Sequence, residues 1–162
     1  MQRRMRTFYN QCINFFWTIL CFVPVLSFWI NNGIDPCLYV FLGISCLVAI
    51  LPAHIFNRLH ISKQKKFYQR IGIKIVQKLV QDGQWRGDFK SYLKTIAMYE
   101  RYHWICFVFF TSTTLYGYSS NTWQWRLAIS IVNLVYNVYP ILLQQYNRMR
   151  ITQILARYNR ST

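Results

Sequence analysis

The chain has 162 residues, enough for one domain, and 54% of them are hydrophobic while only 14% are charged. A soluble domain carries about a quarter charged residues with both signs mixed, whereas here 19 Lys and Arg stand against 4 Asp and Glu. This composition argues against an ordinary soluble enzyme and favours a membrane protein.

Four apolar runs predict four transmembrane helices, at residues 13–30, 36–56, 103–120 and 124–146. Each is close to the roughly 17–25 residues that a spanning helix needs. Short loops join the first run to the second and the third to the fourth, so the helices form two hairpins. The expected fold is a single all-α integral membrane domain over residues 1–162, with residues 57–102 as a cytoplasmic interfacial region.

The basic residues predict how these helices are oriented. Every Lys and Arg except Arg126 lies before the first span, between the second and the third, or after the fourth. Because basic residues favour the cytoplasmic side of a membrane, we expect both termini and the large loop in the cytoplasm. The expected location is the inner (plasma) membrane, which the chain crosses several times.

The cytoplasmic region is predicted to contain a basic amphipathic helix over Ile61–Val80. Apolar residues recur there at every fourth position with lysines and arginines between them, as in a helix that lies against anionic lipid. A second helix, Phe89–Tyr102, is predicted to lead into the third span. Anionic head groups explain the basic pattern, and no nucleic-acid module is recognisable, so the expected partners are membrane lipids and no nucleic acid.

Glu100 and His103 are three residues apart where the third span begins, so they share one helical face. A carboxylate beside an imidazole can fix its tautomer and raise its basicity, as a general base requires. The alternative is an interfacial ion pair, with Trp104 as an aromatic anchor at the membrane surface. Spacing alone leaves both interpretations open.

The fourth span carries a polar stripe and then ends in a polar cluster. Pro140, which lies in the stripe, is predicted to kink the helix and to free a backbone carbonyl near Tyr136. Polar groups at this depth either join helices by hydrogen bonds or line a site, and the spacing favours neither. In a hairpin, the end of this stripe lies at the same membrane face as Glu100 and His103. The stripe comprises Ser130, Asn133, Asn137, Gln144 and Arg148, and the cluster adds Tyr146, Asn147 and Arg150.

No metal centre is predicted. A single Glu-x-x-His motif does not make a di-iron site, which takes two such motifs and two further carboxylates. His54 and His60 end the second span on one face, but with a single glutamate nearby a metal site shared with His103 is disfavoured. The five cysteines show no metal-binding spacing and are interpreted as packing residues.

Four segments of the second half of the chain are similar to the sequence pattern of a known family. They are KFYQRIGIKIVQKLVQDG (Lys66–Gly83), ERYHW (Glu100–Trp104), NVYP (Asn137–Pro140) and QQYNRMRITQIL (Gln144–Leu155). Together they resemble the glycosyl-4,4'-diaponeurosporenoate acyltransferases. These are small bacterial membrane proteins, named for the last acylation in a glycosylated carotenoid pathway.

The chain departs from the family pattern at four places in these motifs. Ile75, Val76 and Gln77 replace a Trp-Lys pair of the family. Tyr99 stands where the family has alanine, Pro140 lies one position later than the family proline, and Met149 replaces a proline between two arginines. These departures mark a divergent member. The resemblance therefore implies the membrane location and acyl transfer rather than the family's own acceptor.

The activity that we expect from this resemblance is transfer of a fatty acyl group from acyl-CoA or another acyl thioester to a hydroxyl. The acceptor is expected to be lipid-linked and sugar-bearing, and no bound cofactor is expected because the thioester is a co-substrate. His103 is the expected general base, and Glu100 is expected to orient it. The expected substrate-binding residues are Gln144 and Asn147 at the oxyanion, Arg148 and Arg150 at the donor phosphates, and Asn133, Asn137 and Tyr146 along the site.

Two other functions remain open at this point. One is a non-enzymatic four-helix accessory subunit of a membrane lipid-pathway complex, which would be inactive alone and would co-purify with a partner. The other is a different membrane transferase or a reductase that uses a charged cytosolic cofactor, because the same basic surface would serve it. The sequence also leaves open whether the chain acts alone, as a homo-oligomer or within a complex.

Overall fold

The fold is all-helical, as predicted. A computed structural model describes residues 2–62, 64–73, 88–118 and 123–161. Helices account for 88% of the structure, and these residues include no strand. The helices are α1 (Gln2–Asn32), α2 (Pro36–Ile50), α3 (Ala53–Arg58), α4 (Lys65–Arg70), α5 (Phe89–Tyr116), α6 (Trp123–Asn133) and α7 (Tyr139–Ser161), and a π-helical turn, Leu134–Val138, joins α6 to α7.

The second predicted span is two helices rather than one. α2 begins where the Asp35 carboxylate accepts from the Cys37 N–H at 2.9 Å, with Pro36 in the first turn. It ends at Ile50 because Pro52 has no N–H with which to continue the helix. α3 starts directly after this proline, so the helix predicted across residues 36–56 is interrupted.

The predicted amphipathic helix is also interrupted. α4 ends at Arg70, and Gly72 follows with a φ of +78°, which glycine adopts at low cost and which ends a helix. Tyr68 and Ile73 of this segment are fully buried in a cluster with Tyr146 of α7. The apolar face described here therefore packs on protein, whereas a lipid contact was expected. Residues 74–80 of the predicted helix lie outside the described residues.

α5 is the central helix of the fold. It begins at Phe89, as predicted, and runs without a break into the third apolar run. α2, α6 and α7 pack against α5, and α1 packs against α6. The main core lies between these helices and consists of Val25, Phe28, Trp29, Phe110 and Ile129.

The fourth predicted span is part of a continuous helix with one irregular turn. The π-helical turn directly precedes α7, and the Tyr139 N–H bonds to the Leu134 carbonyl five residues back. Pro140 explains this irregularity, since it has no N–H to give to the carbonyl four residues earlier, that of Tyr136. The prediction that Pro140 distorts the helix near Tyr136 is confirmed, and the distortion takes the form of an extra residue in one turn.

Two helical stretches are long and apolar enough to cross a membrane, Gln11–Asn32 and Trp123–Arg160, judged by length and composition alone. α2 is apolar but shorter, with 15 residues. The first half of α5 is polar, and its apolar part begins only at Trp104. The mean hydropathy of any spanning-length segment of α5 is therefore lowered. Of the four predicted spans, the described residues thus support the first and the fourth.

Candidate functional site

A buried ion pair joins α5 to α7. The Arg148 guanidinium contacts the Glu100 carboxylate, and the exposed fraction is 0% for Glu100 and 9% for Arg148. Water cannot solvate either of these buried charges, so each charge depends on the other. Removal of one partner would leave an uncompensated buried charge. The pair therefore holds the two helices in one register.

Gln145 connects this ion pair to the segment between α3 and α4. Its amide nitrogen donates to Glu100 Oε1 at 3.1 Å and to the Leu59 carbonyl at 2.8 Å. Its amide oxygen accepts from the Ile61 N–H at 3.1 Å and lies 3.2 Å from the Tyr68 hydroxyl. A glutamine has two N–H donors and two lone pairs on its oxygen, so both donors and at least one lone pair of this fully buried side chain are engaged.

Tyr68 completes this network from α4. Its hydroxyl donates to the Ser62 carbonyl at 2.8 Å. Burial raises the pKa of Tyr68 above its ordinary value, so the phenol keeps its proton at neutral pH and remains a donor. The network thus ties α4 and the preceding loop to α7.

His103 lies on a different surface of α5. Its ring is 5.6 Å from the Tyr136 ring, between centroids, and it approaches the Asn137 side chain and the Tyr136 backbone. His103 Nδ1 and Asn137 Oδ1 are both buried, and they lie on adjoining side chains. Buried polar atoms are nearly always paired. These two atoms can bond to each other, or both can bond to a hydroxyl that comes between them.

The expected contact between Glu100 and His103 is not made. Glu100 is engaged by Arg148 and Gln145, whereas His103 faces Tyr136 and Asn137. Spacing of three residues puts two side chains on one helical face, but stronger partners on α7 draw the carboxylate away. Any group that orients His103 comes from the π-helical turn.

The two asparagines of the polar stripe extend the His103 pocket along α5. Asn137 Nδ2 donates to Asn133 Oδ1 at 2.8 Å, and Asn133 Nδ2 donates to Thr111 Oγ1 at 3.0 Å. Both asparagines are buried. Of the two alternatives left open by the spacing, these contacts are hydrogen bonds between helices, and they hold the π-helical turn against α5.

The remaining residues of the predicted site divide into buried and exposed positions. Gln144 and Asn147 are buried beside the ion pair on α7, and Tyr146 is buried against Tyr68 at 6.0 Å between ring centroids. Arg150 and Ser130 are exposed. Of the two predicted phosphate ligands, Arg148 and Arg150, Arg148 already forms an ion pair with Glu100.

The residue that sequence reasoning missed is Gln145. In a regular helix, Gln144 lies two turns after Asn137 and therefore on the same face. For this reason Gln144 was assigned to the polar stripe. The π-helical turn adds one residue, so Gln145 takes the place on the face towards α5. The signal in the sequence was Pro140, which predicted an irregular turn but not its size.

Comparison with known families decides to which group of proteins the chain belongs. The model of one family, CrtO, glycosyl-4,4'-diaponeurosporenoate acyltransferase, matches residues 52–157, about two-thirds of the chain. The chain belongs to this family. It is therefore an acyltransferase. No curated protein and no solved structure matches the chain.

The residues matched to the acyltransferase family include the whole ion-pair network and the His103 pocket. Glu100, His103, Asn137, Gln145 and Arg148 all fall within residues 52–157. α1 lies outside the match, although it packs against α6. Both polar clusters thus belong to the part of the chain that carries the family identity.

Replacing Gln145 with leucine is expected to destabilise this acyltransferase by about 1–3 kcal/mol, because the buried Glu100 carboxylate loses a donor. The Leu59 carbonyl and the Ile61 N–H also lose their partner, but they belong to exposed residues, where water can replace it. Thermal unfolding of the purified protein measures the effect. The matched control is Gln144→Leu, at the adjacent buried position, which we expect to unfold close to the wild-type temperature. Equal losses in the two variants would contradict the role assigned to Gln145.

Proposed function

We propose that the chain is an integral membrane enzyme with four spans that acylates a lipid. It transfers a fatty acyl group from acyl-CoA or another acyl thioester to a hydroxyl of a lipid-linked, glycosylated acceptor. The family identity supports acyl transfer to a glycosylated, carotenoid-like lipid. The two polar clusters on α5 support a site at one end of the helix bundle.

Exposed apolar surface supports the membrane location. Large apolar side chains cover the outside of α1, α2 and α6, with exposed fractions of 76% for Ile30 and 78% for Ile50. Soluble monomers rarely expose apolar patches of this extent. With α2 and the second half of α5 as the other two spans, both termini and the basic loop lie in the cytoplasm of a bacterial cell, at its inner membrane.

The observation that carries the proposed chemistry is His103 Nδ1, a buried nitrogen that adjoins the Asn137 side chain. The acceptor hydroxyl binds there, between His103 and Asn137. Its oxygen attacks the carbonyl carbon of the thioester while His103 takes its proton. The carbon–sulfur bond then breaks, and His103 returns the proton to the departing thiolate, which leaves as the free thiol.

The other polar residues bind the donor. Gln144 and Asn147 share one face of α7, and their amides donate to the oxyanion that forms on the thioester carbonyl. Arg150 and basic residues of the cytoplasmic region, residues 57–102, bind the donor phosphates. Arg150 takes this role because it is exposed, whereas Arg148 is engaged by Glu100. Tyr146 packs in the apolar cluster with Tyr68 and so supports the segment of α7 that carries Gln144 and Asn147. Asn133 accepts a hydrogen bond from Asn137 and holds it in place.

Comparative lipid mass spectrometry tests this function. The gene is deleted from its host and then restored, and total lipids are extracted from both strains. A glycosylated lipid heavier by one acyl chain is expected only in the restored strain. Identical lipid profiles, with the protein present in the membrane fraction, would overturn the proposal. Recovery of the protein in the soluble fraction would overturn its membrane part alone.

A further inference from the structure

Three hydroxyl groups meet beside His103, those of Thr18, Tyr102 and Tyr136. The Tyr136 hydroxyl lies 2.9 Å from Thr18 Oγ1 and 3.0 Å from the Tyr102 hydroxyl. The three residues belong to α1, α5 and the π-helical turn. Since the Tyr102 and Tyr136 rings lie 5.2 and 5.6 Å from the His103 ring, between centroids, this hydroxyl cluster borders the proposed base.

The hydrogen bonds of the hydroxyl cluster have a determined direction. Thr18 has one hydroxyl proton and donates it to the Asn14 carbonyl at 2.8 Å. Tyr136 must therefore donate to Thr18, and Tyr102 must donate to Tyr136, because each hydroxyl carries a single proton. The Tyr102 hydroxyl also hydrogen-bonds with the Cys106 thiol. All three protons are thus used within the chain, while each oxygen keeps a lone pair.

These remaining lone pairs select a class of ligand. A hydroxyl oxygen accepts up to two hydrogen bonds, so the cluster can accept from O–H groups of a bound molecule. An ionised phosphate or carboxylate offers only acceptors, so it could bond here only by taking a proton from one of these existing hydrogen bonds. A sugar or another polyol carries several O–H donors and fits the cluster.

The hydroxyl cluster is reached from the apolar surface of the protein. Tyr102 is 40% exposed. Trp17, which precedes Thr18, and Tyr99, which lies about one helical turn before Tyr102, are exposed as well. Phe22 and Phe110 flank the Tyr136 ring at 6.0 and 6.5 Å between centroids. An amphiphile whose hydrocarbon tail remains in lipid can therefore bring its head group to the cluster from the side.

We propose that Thr18, Tyr102 and Tyr136 form the binding site for the acceptor head group. Their oxygens accept hydrogen bonds from hydroxyls of the head group, and this holds the hydroxyl to be acylated against His103. The proposal rests on the function proposed above. Thr18 lies outside residues 52–157, so α1 adds an acceptor contact, and with it a determinant of acceptor specificity, to the part of the chain matched to the family.

The test compares Thr18→Val, Tyr102→Phe and Tyr136→Phe with wild type in nanodiscs of phosphatidylethanolamine and phosphatidylglycerol. Native mass spectrometry measures binding of monoglucosyl diacylglycerol and of diacylglycerol, and a kinetic assay measures KM for each substrate. Each variant is expected to bind the glucosyl lipid about fivefold more weakly, as for one lost hydrogen bond, and to raise the acceptor KM similarly. Diacylglycerol binding and the donor KM are expected to stay unchanged.

The matched controls remove the same groups elsewhere. Thr114→Val removes a hydroxyl that bonds within α5, to the Phe110 carbonyl, and Tyr39→Phe removes an exposed phenol of α2. Neither is expected to change binding of the glucosyl lipid. Tyr102→Phe is the most informative variant, because Tyr102 is the terminal donor and its loss leaves no other hydroxyl of the cluster without an acceptor.

The outcomes separate the binding site from the reaction. Wild-type affinity and acceptor KM in Tyr102→Phe and Thr18→Val would overturn the acceptor site while leaving acyl transfer intact. A lower unfolding temperature with equal changes in both KM values would show a structural cluster and would also overturn it. Selective loss of glucosyl lipid binding, with no acylated product from wild type, would support the site and contradict the proposed reaction.

Discussion

Replacement of Glu100 by alanine is expected to destabilise the folded protein by about 3–5 kcal/mol, because it removes the carboxylate that neutralises the buried Arg148. It also removes the acceptor of one Gln145 N–H. The effect is large compared with the whole stability of a domain, about 5–15 kcal/mol. Thermal unfolding in detergent micelles, followed by circular dichroism, measures it.

Two further variants show that the loss comes from the ion pair. The double variant Glu100→Leu with Arg148→Met removes both charges and is expected to be more stable than Glu100→Ala, since an apolar pair needs no compensation. Arg150→Met removes an exposed arginine of the same helix and is expected to change stability by less than about 0.5 kcal/mol. A Glu100→Ala protein that is as stable as wild type, yet inactive, would instead place Glu100 in the chemistry.

Replacement of His103 by alanine is expected to lower kcat for acyl transfer by about 10²–10⁴, the usual contribution of a positioned general base. The folded protein should survive the change, because His103 is only partly buried and carries no ion pair with Glu100 or Arg148. Acyl transfer from a labelled thioester in lipid vesicles measures the rate. Circular dichroism of the same sample shows whether the helices are retained.

His60→Gln is the matched control, since His60 lies outside the His103 pocket on the segment between α3 and α4. It is expected to keep the wild-type rate. A folded His103→Ala protein with the wild-type rate would remove His103 from the role of base. Loss of activity in Asn137→Ala, with kcat falling and the donor KM unchanged, would support orientation of His103 by the π-helical turn rather than by Glu100.

The sequence by itself determined the helical class of the fold, most helix positions and the family. Apolar runs, Pro36 and the start at Phe89 are local signals, and helices form from local signals. The family motifs likewise lie in continuous segments, which is why the family could be identified before any contact was known. The interruption at Gly72 was missed because a glycine is tolerated in some helices and ends others, and its φ depends on what packs around it.

Only the tertiary structure decided which polar residues meet. Glu100 pairs with Arg148 and not with His103, and Gln145 rather than Gln144 joins the network. Both outcomes depend on how α5 and α7 are rotated about their axes, and the extra residue of the π-helical turn changes that rotation by about a quarter turn. Periodicity assumes a regular helix, so beyond the π-helical turn it assigned Gln144 where Gln145 joins the network, although Arg148 of the same stripe does reach Glu100.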